Sequence, residues 1–382
     1  MRFSKWAWLT LGWLLLGCDK QETSEQPNTA AAGAPAKALD PELAQAVAAA
    51  SAAARAPGAQ QPGAAGGPPP NGIFAPGAAD REVAAGQAPK VTLGSDGSEP
   101  RVALAPAQPK PGSKQSGVIA LTVQNSPQQP GLPIDFGVTF EAQKPKGEDG
   151  VTNEVPVVVR VTSARLSVSG APKQLEDQIA KLKGAKIEYL VLPDGAGTGY
   201  RFDVPKGAGE ELSDVVRALS DTLAVVTLPY PDKPVGAGAY WMATSRDGVL
   251  GLDLVTYRLV KVERVEGSKV TLNVNTKRYA ASPRFDLPGL PPDAPRTMVD
   301  FQALAEGTVE VEAGRGFPSG GRQQSALAAT LGNPDAPNAE RGMLEVRSRA
   351  ELRMDGAPRS AGPTSAGRAA PPAAAAAGGP SQ

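Results

Sequence analysis

Glu310 and Glu312 stand two residues apart in GTVEVEA (307 to 313), the same side of a run that alternates apolar and charged residues. Two carboxylates can divide acid and base work between them, as they do around a glycosidic bond. The alternation also gives a simpler reading, a strand with one face in water. DGAGTGYR (194 to 201) has the glycines of a phosphate loop but no Lys-Ser/Thr or helix after it. Strand-like LVLP and YRFDVP flank it, so it reads as a hairpin loop. GEDG (147 to 150) and PDAPNAE (334 to 340) are acidic but lack the ordered oxygen-ligand spacing of a calcium loop. AGRGFPSGGRQQS (313 to 325), with Arg315, Arg322, Gln323 and Gln324, reads as a solvated loop. There is no histidine at all, which removes His-based triads, His zinc sites and imidazole proton shuttles. These residues point to a protein that is not an enzyme, with no metal site and no cofactor.

Cys18, the single cysteine, closes the apolar stretch LTLGWLLLGCDK (9 to 20). From Trp6 to Gly17 there are twelve residues, too few for a span that needs about 20. Arg2 and Lys5 precede them as the basic n-region of a secretory signal, and Trp6 to Leu16 form its apolar core. The segment ends Leu15-Leu16-Gly17-Cys18 instead of in the usual A-x-A type site. That ending resembles the lipobox of bacterial lipoproteins. The resemblance implies cleavage between Gly17 and Cys18, acylation of the Cys18 thiol, and a membrane held through that anchor. Two or more chains bind stably where one binds marginally. Acylation leaves no thiol for a disulfide, a thiolate metal site or a cysteine nucleophile. The expected location is the bacterial cell envelope, with the domain in the periplasm. Asp19 matches the residue that favours inner-membrane retention in enteric bacteria, a rule that varies between lineages, so both membranes stay open.

Composition divides the rest. Residues 18 to 115 are mostly Ala, Gly, Pro, Gln and Ser, as in GAQQPGAAGGPPPNG (58 to 72), and read as a lipidated disordered tether. As a coil its span is roughly 55 Å. Within it, DPELAQAVAAASAAARA (40 to 56) has an N-cap in Asp40 and a thin apolar stripe, a marginal helix. Residues 357 to 382 repeat the composition and read as a disordered tail. Lys plus Arg equals Asp plus Glu at 39 each, so no global field recruits nucleic acid.

Residues 116 to 356 read as the folded domain. PIDFGVTFEA (133 to 142) alternates with period two. VVVRVTSARLSVSG (157 to 170) shifts phase near Ser163, which predicts a bulge. LVTYRLVKVERVEGSKVTLNVNTKRY (254 to 279) predicts a hairpin turning at Glu266-Gly267-Ser268, and Arg246-Asp247-Gly248 predicts another tight turn. MLEVRSRAELR (343 to 353) alternates as well. PKQLEDQIAKLKG (172 to 184) and EELSDVVRALSDTL (210 to 223) carry helical stripes. Together they predict an α+β domain: a curved, mostly antiparallel sheet with two amphipathic helices on its inner face.

Val235-Gly236-Ala237-Gly238-Ala239-Tyr240-Trp241, led by Pro234 and followed by paired strands and Val270-Thr271-Leu272, resembles a family of uncharacterised bacterial lipoproteins with a Val-Gly-x-Gly-x-x-Trp strand entry. No activity accompanies the resemblance. Read from the residues, Gly236 and Gly238 turn the chain into a strand and Trp241 plugs the end of a sheet, in preference to a binding role for Trp241. The expected function is a membrane-anchored envelope lipoprotein presenting a β-rich domain to envelope proteins or cell-wall polymers. The alternative is a carrier holding a lipid or acyl chain in the curved sheet, which would need an apolar cavity of some hundreds of cubic ångströms.

Overall fold

The computed structural model describes residues 69–124, 130–145, 153–249, 252–284, 297–332 and 341–355. The signal segment, Gly17, Cys18, the helix expected at 40 to 56 and the tail lie outside the described residues. Twelve strands form one antiparallel sheet: β1 (Lys90–Ser95), β2 (Lys114–Gln124), β3 (Leu132–Ala142), β4 (Val155–Leu166), β5 (Lys186–Val191), β6 (Gly197–Asp203), β7 (Tyr240–Val249), β8 (Leu252–Glu266), β9 (Lys269–Ala280), β10 (Met298–Glu312), β11 (Gly320–Leu331) and β12 (Gly342–Met354). Their order across the sheet is β1-β7-β8-β9-β10-β11-β12-β2-β3-β4-β5-β6, with β1 and β6 at its edges. The helices are few and short: α1 (Ala78–Glu82), α2 (Lys173–Ala180) and α3 (Glu210–Val226). The architecture is therefore mostly β, which corrects the α+β expectation. Among the described residues only two helices, α2 and α3, exceed five residues, whereas β8 and β10 extend to 15 residues each.

Alternation becomes burial where the sequence carries it. Ile134, Phe136, Val138 and Phe140 of β3 are all buried. Opposite them, β4 pairs Gly137 with Ser163 and Val138 with Val161, so the extra residue is Thr162 and the bulge lies where the phase shifts. Glu266 pairs with Lys269, closing the β8–β9 hairpin as expected. The exposed charged face of β12 is laced by Arg347–Glu345 and Arg353–Glu351 pairs at 2.6 and 3.5 Å.

Three expectations are corrected. Arg246-Asp247-Gly248 is not a turn: β7 stays paired with β8 through Val249↔Leu252, so the Asp-Gly signal falls inside a strand. Residues 320 to 325 are not loop but the start of β11, where ladder bonds to β10 and β12 outweigh the polar composition. Residues 69 to 115 are not tether throughout. They contain α1 and β1, bury Ile73, Phe74, Val83 and Leu104, and pair Leu93 with Trp241. Their sparse apolar side chains have no core of their own; they dock on surfaces the sheet supplies, which composition alone does not reveal.

The largest buried cluster gathers Ile119, Phe136, Val159 and Ile187 from β2 to β5 with Trp241 of β7, Val260 of β8 and Leu272 of β9. Leu212, Val216, Leu219 and Leu223 of α3 belong to the same cluster, with α3 packed on β6 and β2. A second cluster, Ile73, Leu254, Ala280, Phe301 and Leu327, lies further along the same face of β8 to β11. On the opposite face, Phe74, Tyr257 and Tyr279 pack edge to face under α1.

Candidate functional site

On β8 the side chains of one face run Leu254, Thr256, Arg258, Val260, Val262; on β9 they run Ala280, Arg278, Thr276, Val274, Leu272. Leu254 and Ala280 belong to the second cluster, while Val260, Val262, Val274 and Leu272 belong to the first. A polar band thus separates two apolar regions on one face. The register sets Thr256 opposite Arg278 and Arg258 opposite Thr276, so the four form a square on adjacent strands. All are buried, with exposures of 0% for Thr256, 4% for Arg258, 1% for Thr276 and 6% for Arg278.

The square is incompletely bonded. Arg258 donates from Nη2 to Asp247 Oδ2 at 3.0 Å and from Nη1 to Ser245 Oγ at 2.8 Å. Its Nη2 also approaches the Ala224 carbonyl of α3 at 3.5 Å, so the side chain reaches from the sheet to that helix. Arg258 Nε, Arg278 Nε and Nη2, and the hydroxyls of Thr256 and Thr276 have no hydrogen-bond partner among the described residues. Asp221 of α3 attracts Arg278 through space; its carboxyl is pushed up to about 7 by desolvation, with Arg278 and Arg217 opposing the rise. Arg217 lies over the Phe202 ring of β6 at 5.7 Å. The flanking residues on the same face are small: Ala243 and Ser245 of β7, opposite Arg258 and Thr256, and Ala303 and Ala305 of β10, opposite Arg278 and Thr276.

None of these residues was singled out by sequence motif. The signal available was phase, and only on β9: Thr276 and Arg278 continue the buried alternation of Val270, Leu272 and Val274, whereas β8 is buried on both faces from Leu254 to Val260.

The residues that sequence did single out stand elsewhere. Trp241 is fully buried, donates its indole N–H to the Pro229 carbonyl at 3.0 Å and meets Tyr230 edge to face at 6.4 Å. Val235 exchanges backbone bonds with Val102 at 2.8 and 2.9 Å. A Cβ on Gly236 would lie 1.7 Å from the Ser98 carbonyl oxygen, so only glycine permits that approach. Gly238 turns with φ 78° and its N–H reaches Val262 at 2.9 Å. Each residue of the motif thus has a packing role. Glu310 and Glu312 occupy the face opposite buried Val309 and Val311, and Glu312 pairs with Arg315 at 2.9 Å. The glycine-rich 194 to 201 stretch is loop only as far as Ala196, in the β5–β6 connection, and from Gly197 it is paired strand β6; Asp194 Oδ1 accepts from the Ala196 N–H at 3.0 Å.

Beside these elements, a cavity of about 30 Å³ is bounded by Leu104, Tyr189, Val226, Tyr230, Val311 and Phe317. Tyr189 and Tyr200 stack at 4.9 Å, and burial pushes both phenols upward. Among the described residues no cluster of three His, Cys, Asp or Glu could hold a metal, and no helix is long and apolar enough to cross a membrane.

No family model matches the chain. No curated protein matches it either. Among solved structures it is similar to one described as lipid-protein interactions in lipovitellin, at TM-score 0.38 and 10% identity, over 66% of this chain and 26% of that one. The chain therefore spans about a quarter of the length of that structure.

Proposed function

We propose that the protein is a lipid-anchored lipoprotein of the bacterial cell envelope whose β-rich domain binds envelope partners or wall polymers and does no chemistry. The anchor is Cys18, and the resemblance to uncharacterised lipoproteins belongs to the same proposal. In this reading the sheet is curved, with α2 and α3 as its two amphipathic helices. What supports curvature is that α3 meets β6 through Arg217 and Phe202 and approaches β8 through the Ala224 carbonyl and Arg258, two strands that a flat sheet with spacings of about 4.8 Å would hold beyond the reach of one helix.

The observation that favours presentation over an acyl-chain carrier is how α3 meets the sheet. Leu212, Val216, Leu219 and Leu223 fill the space that a carrier would leave open. The cavity of about 30 Å³ suits a water molecule or two, against the several hundred cubic ångströms of a ligand pocket. The test is fractionation of cells expressing the full chain. The wild type is expected in the membrane fraction and to incorporate labelled palmitate, and Cys18→Ser to be soluble and unlabelled. A Cys18→Ser chain still bound to membranes would overturn the anchor.

A further inference from the structure

Arg278 is the least compensated charge of the polar band. Its guanidinium is buried, it has no hydrogen bond from Nε or Nη2, and Asp221 faces it without bonding it. Arg258, diagonal to it, has Asp247 and Ser245 as partners and still leaves Nε unused. A buried guanidinium keeps its proton and carries donors only, so unmet N–H groups there call for acceptors. Thr256 and Thr276, the other corners of the square, also have unpartnered hydroxyls, and these can donate as well. The side chains opposite them on β7 and β10 are Ala243, Ser245, Ala303 and Ala305, so no large neighbour supplies the missing acceptors.

Five unmet polar atoms on four adjacent buried residues, three of them on the two guanidinium groups and two on the hydroxyls opposite those groups, supply the donors that one anion with several oxygens requires. Nε and an Nη of arginine form the fork that receives two oxygens of a carboxylate or phosphate. We infer that the square of Thr256, Arg258, Thr276 and Arg278 binds one small oxyanion, a carboxylate or phosphate group. Arg278 receives it through Nε and Nη2, Arg258 adds Nε, and the two hydroxyls complete the ring of donors. The same group is offered by a free solute and by the head of a lipid, and apolar clusters on both sides of the band fit either source.

The test is calorimetric titration of the full chain carrying Cys18→Ser with inorganic phosphate, acetate and decanoate, against sodium chloride at matched ionic strength. At least one of the three oxyanions is expected to bind at a single site, at least tenfold more weakly in Arg278→Met and severalfold more weakly in Thr276→Val. Phosphate or acetate binding as tightly as decanoate identifies a free solute. Decanoate binding more than tenfold tighter than acetate identifies a lipid source; the oxyanion site then stands, and the presentation reading falls. No binding beyond the chloride control, or equal binding by wild type and Arg278→Met, overturns the site. Should Arg278→Met not fold, Thr256→Val with Thr276→Val replaces it, and unchanged binding there overturns the site.

Discussion

Arg258 of β8 and Asp247 of β7 form an ion pair at 3.0 Å with the guanidinium side chain 5% exposed. The pair ties the sheet to α3, because the same guanidinium faces the Ala224 carbonyl. Ser245 locks both partners: it receives a bond from Arg258 at 2.8 Å and gives one to Asp247 Oδ2 at 3.0 Å. The Asp-Gly dipeptide that reads as a turn is thus the source of a partly buried countercharge for buried Arg258.

Removing one member of such a pair strands the other in the interior. Asp247→Asn is expected to destabilise the domain by about 3–5 kcal/mol, read from the urea midpoint. The double variant Asp247→Leu with Arg258→Met removes both charges and is expected to recover most of that loss. A double variant less stable than Asp247→Asn alone would contradict the assignment.

Asp221 gives the stability a pH dependence of unusual sign. Its carboxyl titrates near 7 in the folded chain, above its ordinary value, so between about pH 4 and 7 the native state holds a proton that the unfolded chain has released. Stability from this group is full below the unfolded pKa and is lost as pH rises toward 7, by at most about 1.4 kcal/mol per pH unit. The groups facing it include Arg217 on α3 and Arg278 on β9, with Arg258 and Asp247 beyond. Asp221→Asn is expected to flatten this slope in unfolding measured from pH 4 to 8; an unchanged slope would assign it to another group.

Much of the sheet was legible. Period-two alternation marked β3, β12 and the end of β10, long β-branched runs about a turn marked the β8–β9 hairpin, and the phase shift at Ser163 marked the β4 bulge. Less legible was the docked segment 69 to 115, because Ile73, Phe74, Val83 and Leu104 are sparse apolar residues in a Pro- and Gly-rich stretch, and what buries them is distant in sequence. The polar band was legible only in part. Arg278 sits in the buried phase of β9, but its neighbour Lys277 makes the strand look evenly polar, and Arg258 stands between apolar Tyr257 and Leu259 in a stretch of β8 buried on both faces, where alternation carries no signal. Gln323, expected in a solvated loop, is buried because β11 begins at Gly320.

Trp241 holds the entry to β7 by burial and by one hydrogen bond. Trp241→Ala is expected to cost about 3–5 kcal/mol, and Trp241→Phe to cost less, since it keeps most of the apolar contact and loses the bond to Pro229. Chemical unfolding followed by far-UV circular dichroism measures both. Equal and small losses would mean that the side chain does not hold the strand entry.

Gly236 joins the docked segment to the sheet. Gly236→Ala places a Cβ against the Ser98 carbonyl and is expected to release β1 and its flanks. Limited proteolysis of the wild type should then leave a resistant fragment beginning near residue 69, and of Gly236→Ala one beginning closer to 115. Cleavage of the wild type within 90 to 115 would contradict the docking.

Whether the space between α3 and the sheet is filled decides between presenting and carrying. Native mass spectrometry of the full chain with Cys18→Ser, purified from the bacterial periplasm, reads this as mass. The account predicts the polypeptide with no adduct heavier than a small anion. A retained adduct of lipid mass, carried through purification in one-to-one amount, would contradict it and make the domain a carrier.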